Sequence, residues 1–194
     1  MQIEESTLPG VLVLTPKVFE DSRGWFSETW SRPTLAAAGI GCDFVQDNWS
    51  FTHKAGTVRG LHYQAPPYAQ DKLVRVGAGR ALDIVVDVRK GSACYGKWAG
   101  FELSAQNRVQ VLVPKGFLHG FVTLQDNTEF FYKCSAPYHA ASDGAVHFAD
   151  PDLAIDWGWD AGDVIISEKD AAAVAFADFD SPFEFKPLNA MTGT

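Results

Sequence analysis

The segment GTVRGLHYQAPPYAQDKLVRV, residues 56–76, concentrates side chains that can carry out acid–base chemistry on an anionic ligand. It holds His62 between Arg59 and Lys72, and Asp71 is its only carboxylate. Histidine titrates near neutral pH, so His62 can act as a general base, although a lone strand histidine is more often a partly buried structural residue. Arg59 and Lys72 are donors suited to phosphate or to a developing oxyanion. The segment predicts either a base among substrate-holding cations or a structural histidine.

Polar side chains are dense in further stretches whose sequence is typical of strands or turns. These stretches are DSRGWFSETW (21–30), VQDNWS (45–50), PKGFLHGF (114–121), FFYKC (130–134) and SEKD (167–170). Arg23 and Glu28 fit either an exposed hairpin or a binding site. Gln46, Asp47 and Asn48 stand where a strand would carry apolar residues. Either the strand ends there, or its polar face lines a pocket.

The segment PKGFLHGF fits the P-x-G-x-x-H pattern that closes the second site motif of cupin barrels. In metal-binding cupins this histidine, here His119, joins an earlier H-x-H pair and a glutamate. The corresponding triplet is His62-Tyr63-Gln64, so a glutamine replaces the second histidine. Two histidines without a thiolate or a clear carboxylate fall short of a metal-ligand set. We expect no metal, and we expect His119 to donate hydrogen bonds.

Tyr132 and Asp170 each have a structural and a functional interpretation. Alternation in EFFYKC places Phe130 and Tyr132 on one face, so Tyr132 is either a core aromatic or a proton donor inside a barrel. Asp170 is either a favourable charge in the first turn of a helix or a carboxylate that orients His62 and stabilises its protonated form. The residue pattern leaves both questions open.

Composition indicates one globular domain over residues 1–194 and disfavours several classes of partner. Hydrophobic residues make up 46% of the chain, enough for a sizeable core. The net charge of −8 argues against a nucleic-acid or anionic-membrane binder. No apolar run approaches the roughly 20 residues of a membrane span. The three cysteines lack metal-type spacing and the N-terminus lacks a secretion signal, so we expect a cytoplasmic protein.

The elements that must position these side chains are mostly strands. Short runs of β-branched and aromatic residues, separated by Gly, Pro, Asn or Asp, favour an all-β sandwich or barrel, and among these a jelly roll. The break at Gly77–Gly79 predicts a hairpin turn. Helices are predicted only near residues 32–40 and 167–179, from Pro33 in one first turn and Ser167 as the other N-cap.

Seven motifs in register resemble the dTDP-4-dehydrorhamnose 3,5-epimerase family of the cupin superfamily, from about residue 3 to residue 178. They are D-x-R-G-x-F-x-E, F-x-Q-D-N, R-G-L-H-Y-Q, Y-A-Q-x-K-L-V-R, V-P-x-G-F-x-H-G-F, F-x-Y-K and L/I-S-x-K-D. The resemblance implies a cupin-type jelly-roll barrel (a double-stranded β-helix) that works as a homodimer. It implies conversion of dTDP-4-keto-6-deoxy-D-glucose to dTDP-4-keto-L-rhamnose without a cofactor or metal.

Carried over motif by motif, the resemblance implies roles for individual residues. His62 is expected to abstract the proton, with Asp170 as its partner. Tyr132 is expected to be the acid on the opposite face of the sugar, and Lys72 is expected to stabilise the enolate at O4. The expected substrate-binding residues are Arg23, Glu28, Gln46, Asp47, Asn48, Arg59, His119, Tyr138, Asp143 and Lys169. Among them, Tyr138 is expected to stack on the ligand.

The family comparison also implies an exchange between subunits and shows local departures. The N-terminal strand is expected to cross between subunits, so Arg23 and Glu28 can serve the partner's site. Asp143 stands where many relatives have the longer glutamate, which leaves that contact open. The loop 156–167 is a variable connection and the tail 181–194 lies outside the resemblance. Neither is expected to touch the catalytic residues.

Three other functions remain as alternatives. A mono-epimerase that inverts only C3 or only C5 can keep the same His, Lys, Asp and Tyr. A non-catalytic cupin that binds sugar nucleotides is disfavoured because His62 and Tyr132 are intact. A metal-dependent cupin oxygenase is disfavoured by Gln64.

Overall fold

Two facing antiparallel β-sheets dominate residues 1–185, the part of the chain that this computed structural model describes. The strands are β1 Gln2–Glu5, β2 Leu12–Thr15, β3 Val18–Asp21, β4 Gly24–Ser27, β5 Gln46–Thr52, β6 Val58–Gln64, β7 Lys72–Ala78, β8 Arg80–Asp87, β9 Arg89–Lys90, β10 Trp98–Ser104, β11 Gln110–Val113, β12 Phe117–Thr123, β13 Thr128–Cys134, β14 Asp143–Ala145 and β15 Phe183–Glu184. The α-helices are α1 Arg32–Ala37 and α2 Glu168–Ala171. The segment 181–194, predicted to be a tail, lies outside the described residues from residue 186 onward.

The strand order defines the barrel. One sheet runs β1-β2-β11-β7-β13-β5, and the other runs β10-β8-β12-β6-β14. Two small pairs, β3 with β4 and β9 with β15, lie outside these sheets. The predicted all-β jelly roll is confirmed.

Strand β8 shows how the sheets pack. Ala81 and Val85 point into the core between the sheets. Ile84 and Val86 point the other way, into a second core closed by residues beyond β14 such as Trp157. Both faces of β8 are covered, and its five apolar residues are accompanied by Arg80 and by two buried aspartates, Asp83 and Asp87.

The break at Gly77–Gly79 is a corner between sheets, so the predicted hairpin turn is wrong. Strand β7 pairs with β11 and β13, whereas β8 pairs with β10 and β12. Gly79 has φ +77°, and a Cβ there would lie 2.4 Å from Oγ1 of Thr128. A glycine is therefore required where the chain turns sharply from one sheet to the other.

Both predicted helices form, but each is shorter than its pattern. Helix α1 ends at Ala37, and Gly39 follows with φ +78°. Helix α2 is a single turn capped by Ser167, whose side chain accepts a hydrogen bond from Asp170 N. Val174 then pairs with Val146 as an isolated bridge, so the backbone after α2 extends the sheet region instead of continuing the helix. Among the described helices, none is long and apolar enough to cross a membrane.

Candidate active site

A pocket of about 450 Å³ opens between the two sheets and gathers all four residues predicted to be catalytic. Six charged or polar side chains of its lining are Arg59, His62, Lys72, His119, Tyr132 and Asp170. The five-stranded sheet supplies His62 and His119, whereas the six-stranded sheet supplies Lys72 and Tyr132. Asp170 comes from the short helix α2. The pocket is thus lined from both sheets and from one helix.

A β-bulge brings Arg59 and His62 to the same pocket. Residues three apart on a regular strand point to opposite faces. On β6, however, His62 is paired with His119 and Arg59 with Phe121, so three steps on β6 oppose two on β12. The extra residue is absorbed near Gly60, which has φ +140°. A Cβ at Gly60 would lie 2.6 Å from Cα of Gly120, so the two strands can approach only with glycine there.

His62 and Asp170 form a hydrogen-bonded pair. Nε2 of His62 donates to Oδ1 of Asp170 at 2.6 Å, which leaves Nδ1 free to accept a proton. The His62 side chain is 31% exposed and that of Asp170 only 6%. Burial alone would raise the pKa of Asp170, but hydrogen bonds and charge from His62, with the Gly60 and Ser167 donors, hold the pKa below its ordinary value. The pair is an anionic carboxylate that supports an imidazole facing the pocket.

Lys72 lies in the same pocket without a counter-ion. Within residues 1–185, its ammonium has no hydrogen bond or ion pair to another side chain. Burial lowers the pKa of Lys72, and the nearby Cys134, Asp143 and Asp83 only partly oppose this effect. A desolvated cation of this kind interacts strongly with negative charge that develops beside it.

Tyr132 presents a phenol to the pocket from the sheet opposite His62. Burial raises the pKa of Tyr132, helped by the charge of Cys134 and opposed by Arg59. The phenol is therefore kept in its protonated form at neutral pH. This is the state that an acid needs in order to give a proton to a carbanion.

His119 has its own carboxylate, Asp83, which was missing from the predicted site. Nε2 of His119 donates to Oδ1 of Asp83 at 2.7 Å. Asp83 is fully buried, and its second oxygen has no hydrogen-bond partner among the described residues. The pKa of Asp83 is raised, because burial outweighs the opposing effects of His119 and Lys72. The available signal was an aspartate within the apolar run LDIVV, which alternation alone assigns to a polar outer face.

A second chamber of about 150 Å³ adjoins the first and holds more of the predicted binding residues. Gln46, Asn48, Tyr138 and Asp143 line it together with His62, Lys72 and Tyr132, which were predicted to be catalytic. Oδ2 of Asp143 accepts from the Tyr138 hydroxyl at 3.3 Å and also from the Lys169 ammonium. The shorter carboxylate of Asp143 thus contacts two other predicted binding residues.

The structure does not bring Arg23, Glu28 and Asp47 to the pocket of their own chain. Arg23 pairs with Asp21 in the exposed β3–β4 hairpin, and Glu28 accepts a hydrogen bond from Thr34. Asp47 pairs with Lys133, because alternation on β5 points it away from Gln46 and Asn48.

The expectation that the loop 156–167 stays away from the catalytic residues is overturned. Ile165, Ile166 and Ser167 line the main pocket. Ile165 is held there because it forms a parallel β-bridge with Thr57. Its carbonyl also accepts a hydrogen bond from the backbone N–H of Val58, the first residue of β6. The loop therefore forms an apolar wall of the site.

Metal ligation finds little support in the side chains present. In the part of the chain that the structure describes, no three His, Cys, Asp or Glu side chains are grouped as a metal site. Gln64, which stands in the place of the second cupin histidine, bonds to backbone groups.

Comparison with known proteins gives the family. The family model described as dTDP-4-dehydrorhamnose 3,5-epimerase matches residues 5–178. A relative with that name from Shigella flexneri is 41% identical over 93% of this chain and 98% of its own length. The crystal structure of a dTDP-4-dehydrorhamnose 3,5-epimerase from Elizabethkingia anophelis has a TM-score of 0.87 at 44% identity and covers 92% of this chain and 97% of that one.

A dTDP-6-deoxy-D-glucose-3,5-epimerase from Legionella pneumophila, solved with dTDP-4-keto-L-rhamnose, has a TM-score of 0.91 at 40% identity. That alignment covers 96% of this chain and 99% of the Legionella chain. The chain belongs to the dTDP-4-dehydrorhamnose 3,5-epimerase family.

Proposed function

We propose that this protein epimerises dTDP-4-keto-6-deoxy-D-glucose at C3 and C5 to give dTDP-4-keto-L-rhamnose, without a cofactor or metal. One observation carries the proposal. A carboxylate-supported imidazole, His62, and a protonated phenol, Tyr132, enter one pocket from opposite sheets, beside the unpaired ammonium of Lys72. Inversion at a carbon needs a base on one face and a proton donor on the other.

His62 is the base in this proposal. C3 and C5 both flank the C4 ketone, so removal of either proton gives an enolate whose negative charge lies on O4. Asp170 stabilises the imidazolium that forms when His62 takes the proton. Lys72 stabilises the enolate oxygen, because a cation preorganised in a desolvated site is a strong stabiliser of developing charge.

Tyr132 returns a proton from the other face of the ring. Its raised pKa keeps the phenol protonated while the enolate forms. After each inversion, the proton on His62 and the proton lost by Tyr132 are re-equilibrated with solvent. The same two groups can then act at the second carbon.

The remaining polar residues hold the nucleotide. Arg59, with its exposed guanidinium at the pocket, and Lys169 are suited to the diphosphate. His119, whose Nε2 donates to Asp83, lines the pocket with Nδ1 left to accept a hydrogen bond from the sugar. Gln46 and Asn48 supply hydrogen bonds from β5. Tyr138, which is 60% exposed, is available to stack on the base.

We extend the proposal to a homodimer of single-domain subunits. Phe19, Trp25 and Phe26 of the β3–β4 hairpin are all more than half exposed, which is unfavourable in a lone chain. The hairpin carries Arg23, and Glu28 follows it, and neither residue lines its own pocket. Exchange of the hairpins would bury the aromatic rings and deliver Arg23 and Glu28 to the partner. The three cysteines are free thiols, which supports a reducing, cytoplasmic location.

The test is product analysis with a downstream ketoreductase present to trap the unstable 4-keto sugar. The proposal expects a product with the L-rhamnose configuration. A product inverted at C3 alone or at C5 alone would make the protein a mono-epimerase. Folded protein that binds dTDP and yields only uninverted sugar would make it a binding protein.

A further inference from the structure

The side-chain amide of Gln64 hydrogen-bonds to the backbone of two loops. Nε2 donates to Pro137 O at 3.0 Å and also to Tyr68 O, and Oε1 accepts from His139 N at 2.9 Å. Gln64 is only 5% exposed. Both N–H groups of the amide are used, so it has no donor left for a ligand. The glutamine of the R-G-L-H-Y-Q motif therefore acts on the protein itself.

Two further glutamines bond to the same backbone segment. Nε2 of Gln70 donates to Ala136 O at 2.8 Å. Oε1 of Gln46 accepts from Tyr138 N at 2.8 Å. Gln46, Gln64 and Gln70, here called the glutamine bracket, thus bond to four successive residues, 136–139. Each glutamine comes from a different part of the chain, on β5, at the end of β6 and just before β7.

The glutamine bracket sets the position of Tyr138, whose side chain is not fixed by packing. Tyr138 is 60% exposed, and its hydroxyl makes one weak contact, 3.3 Å from Asp143. A stacking ring contributes most when its position is fixed before the ligand arrives, since ordering a mobile loop costs binding free energy. The stacked rings of Tyr68 and His139, 3.9 Å apart, add a second tie between the same two loops.

We propose that Gln64 and Gln70 are positioning residues that hold the backbone at Tyr138 so that its ring is preorganised to stack on the nucleotide base. This inference rests on the proposed function, which assigns the stacking role to Tyr138. It also gives a physical reason for a glutamine where metal-binding cupins have a histidine. The Gln64 amide donates to two carbonyls and accepts from one N–H at the same time, whereas a neutral imidazole has one donor and one acceptor.

The experiment is a double-mutant cycle between Gln64 and Tyr138, read by calorimetric titration with dTDP. Gln64→Met keeps the volume but removes the hydrogen bonds, and we expect dTDP to bind about tenfold more weakly. In a Tyr138→Ala background the same change should cost less than about twofold, because the ring to be positioned is gone. In steady-state kinetics, KM for the 4-keto sugar should rise while kcat stays within about twofold.

A matched control separates positioning from general destabilisation. Ser181 is equally buried and donates to Val88 O in the C-terminal segment, away from both chambers. Ser181→Ala should leave dTDP affinity unchanged while it lowers the melting temperature. If Gln64→Met does not fold, Gln70→Met carries the same cycle, with an expected loss of about threefold.

Each outcome is decisive. Equal losses in the two backgrounds, or wild-type affinity in Gln64→Met, would overturn the positioning role while leaving the proposed function intact. Wild-type affinity in Tyr138→Ala would remove the stacking assignment and the positioning role together. Epimerisation would still be tested independently by isotope exchange at the sugar.

Discussion

His62 and His119 are register partners on β6 and β12, and each imidazole donates to a buried carboxylate. The N–O distances are 2.6 Å to Asp170 and 2.7 Å to Asp83. The two pairs differ in environment, because the pKa of Asp170 is lowered whereas burial raises the pKa of Asp83. The His62 side chain is 31% exposed and that of His119 is 8%. His62 therefore has the partner whose pKa is lowered and the access that a base needs, and His119 is suited to a fixed hydrogen bond.

Lys72→Met should abolish activity and stabilise the fold. We expect kcat to fall by at least about 100-fold, because the enolate loses its cation. Removal of an unpaired, desolvated ammonium should raise the free energy of unfolding by about 1 kcal/mol. The pKa of Lys72 is lowered in the fold, so the unfolded chain binds more protons at alkaline pH. Wild-type stability should therefore rise relative to the variant as pH approaches the ordinary lysine pKa.

Chemical denaturation of both proteins at several pH values checks this expectation. Lys97→Met, at an exposed position outside the pocket, is the control and should change stability by less than about 0.5 kcal/mol. A Lys72→Met variant that turns over at the wild-type rate would remove Lys72 from the mechanism.

The Asp170 carboxylate should make the free energy of unfolding depend on pH in the acidic range. Burial raises its pKa, but the donors from His62, Gly60 and Ser167 outweigh this effect and the net shift is downward. The unfolded carboxyl takes up its proton at higher pH than the folded one. The stabilisation is thus complete above the unfolded pKa, about 4, and is lost as pH falls through the folded pKa.

Asp170→Asn, which cannot titrate, should therefore lose less stability than the wild type below about pH 4. Urea unfolding across this range makes the measurement. Asp150→Asn changes another buried carboxylate, outside the pocket, and serves as the matched control. If the free energies of unfolding of wild type and Asp170→Asn fall in parallel with pH, the hydrogen-bond partners of Asp170 do not lower its pKa.

Tyr132→Phe should separate proton removal from inversion. Loss of the phenol leaves His62 and Lys72 in place, so we expect solvent deuterium still to enter the substrate carbon that faces His62. Product with inverted configuration should form about 100-fold more slowly. NMR of the sugar gives both rates in one sample. An unchanged product profile would exclude Tyr132 as the acid.

Exchange of the hairpin between subunits can be tested by complementation. Arg23→Ala and His62→Ala should each be impaired alone, in the binding of substrate and in proton abstraction respectively. If Arg23 serves the partner, a mixed dimer has one site with both residues intact. Random co-assembly of equal amounts should restore about one quarter of the wild-type sites. No recovery in verified mixed dimers would mean that Arg23 does not cross.

Much of this fold follows from local patterns, and the failures have identifiable causes. Short runs of β-branched and aromatic residues predict the barrel, and the motifs single out His62, Lys72 and Tyr132, which the fold brings to one pocket. Asp83 was missed because the same alternation fits an aspartate facing water or one facing a buried histidine. The glycines at 77 and 79 permit either a hairpin or a corner between sheets, and only the pairing of distant strands decides between the two.

Long-range contacts explain the remaining differences. The pattern for a helix over 167–179 reflects alanine propensity, which the pairing of Val174 with Val146 overrides. The bulge near Gly60 depends on its close approach to Gly120, which lies far away in sequence. The loops tied by the glutamine bracket are likewise distant along the chain.

Isotope exchange catalysed by His62 variants tests the central claim most directly. The 4-keto sugar nucleotide is incubated in D₂O with wild-type protein or with His62→Ala, and deuterium at C3 and C5 is measured by proton NMR. Wild-type protein should label both carbons, and His62→Ala should label neither while it binds dTDP with an affinity within about threefold of wild type. Labelling by His62→Ala at the wild-type rate would contradict the assignment of His62 as the base.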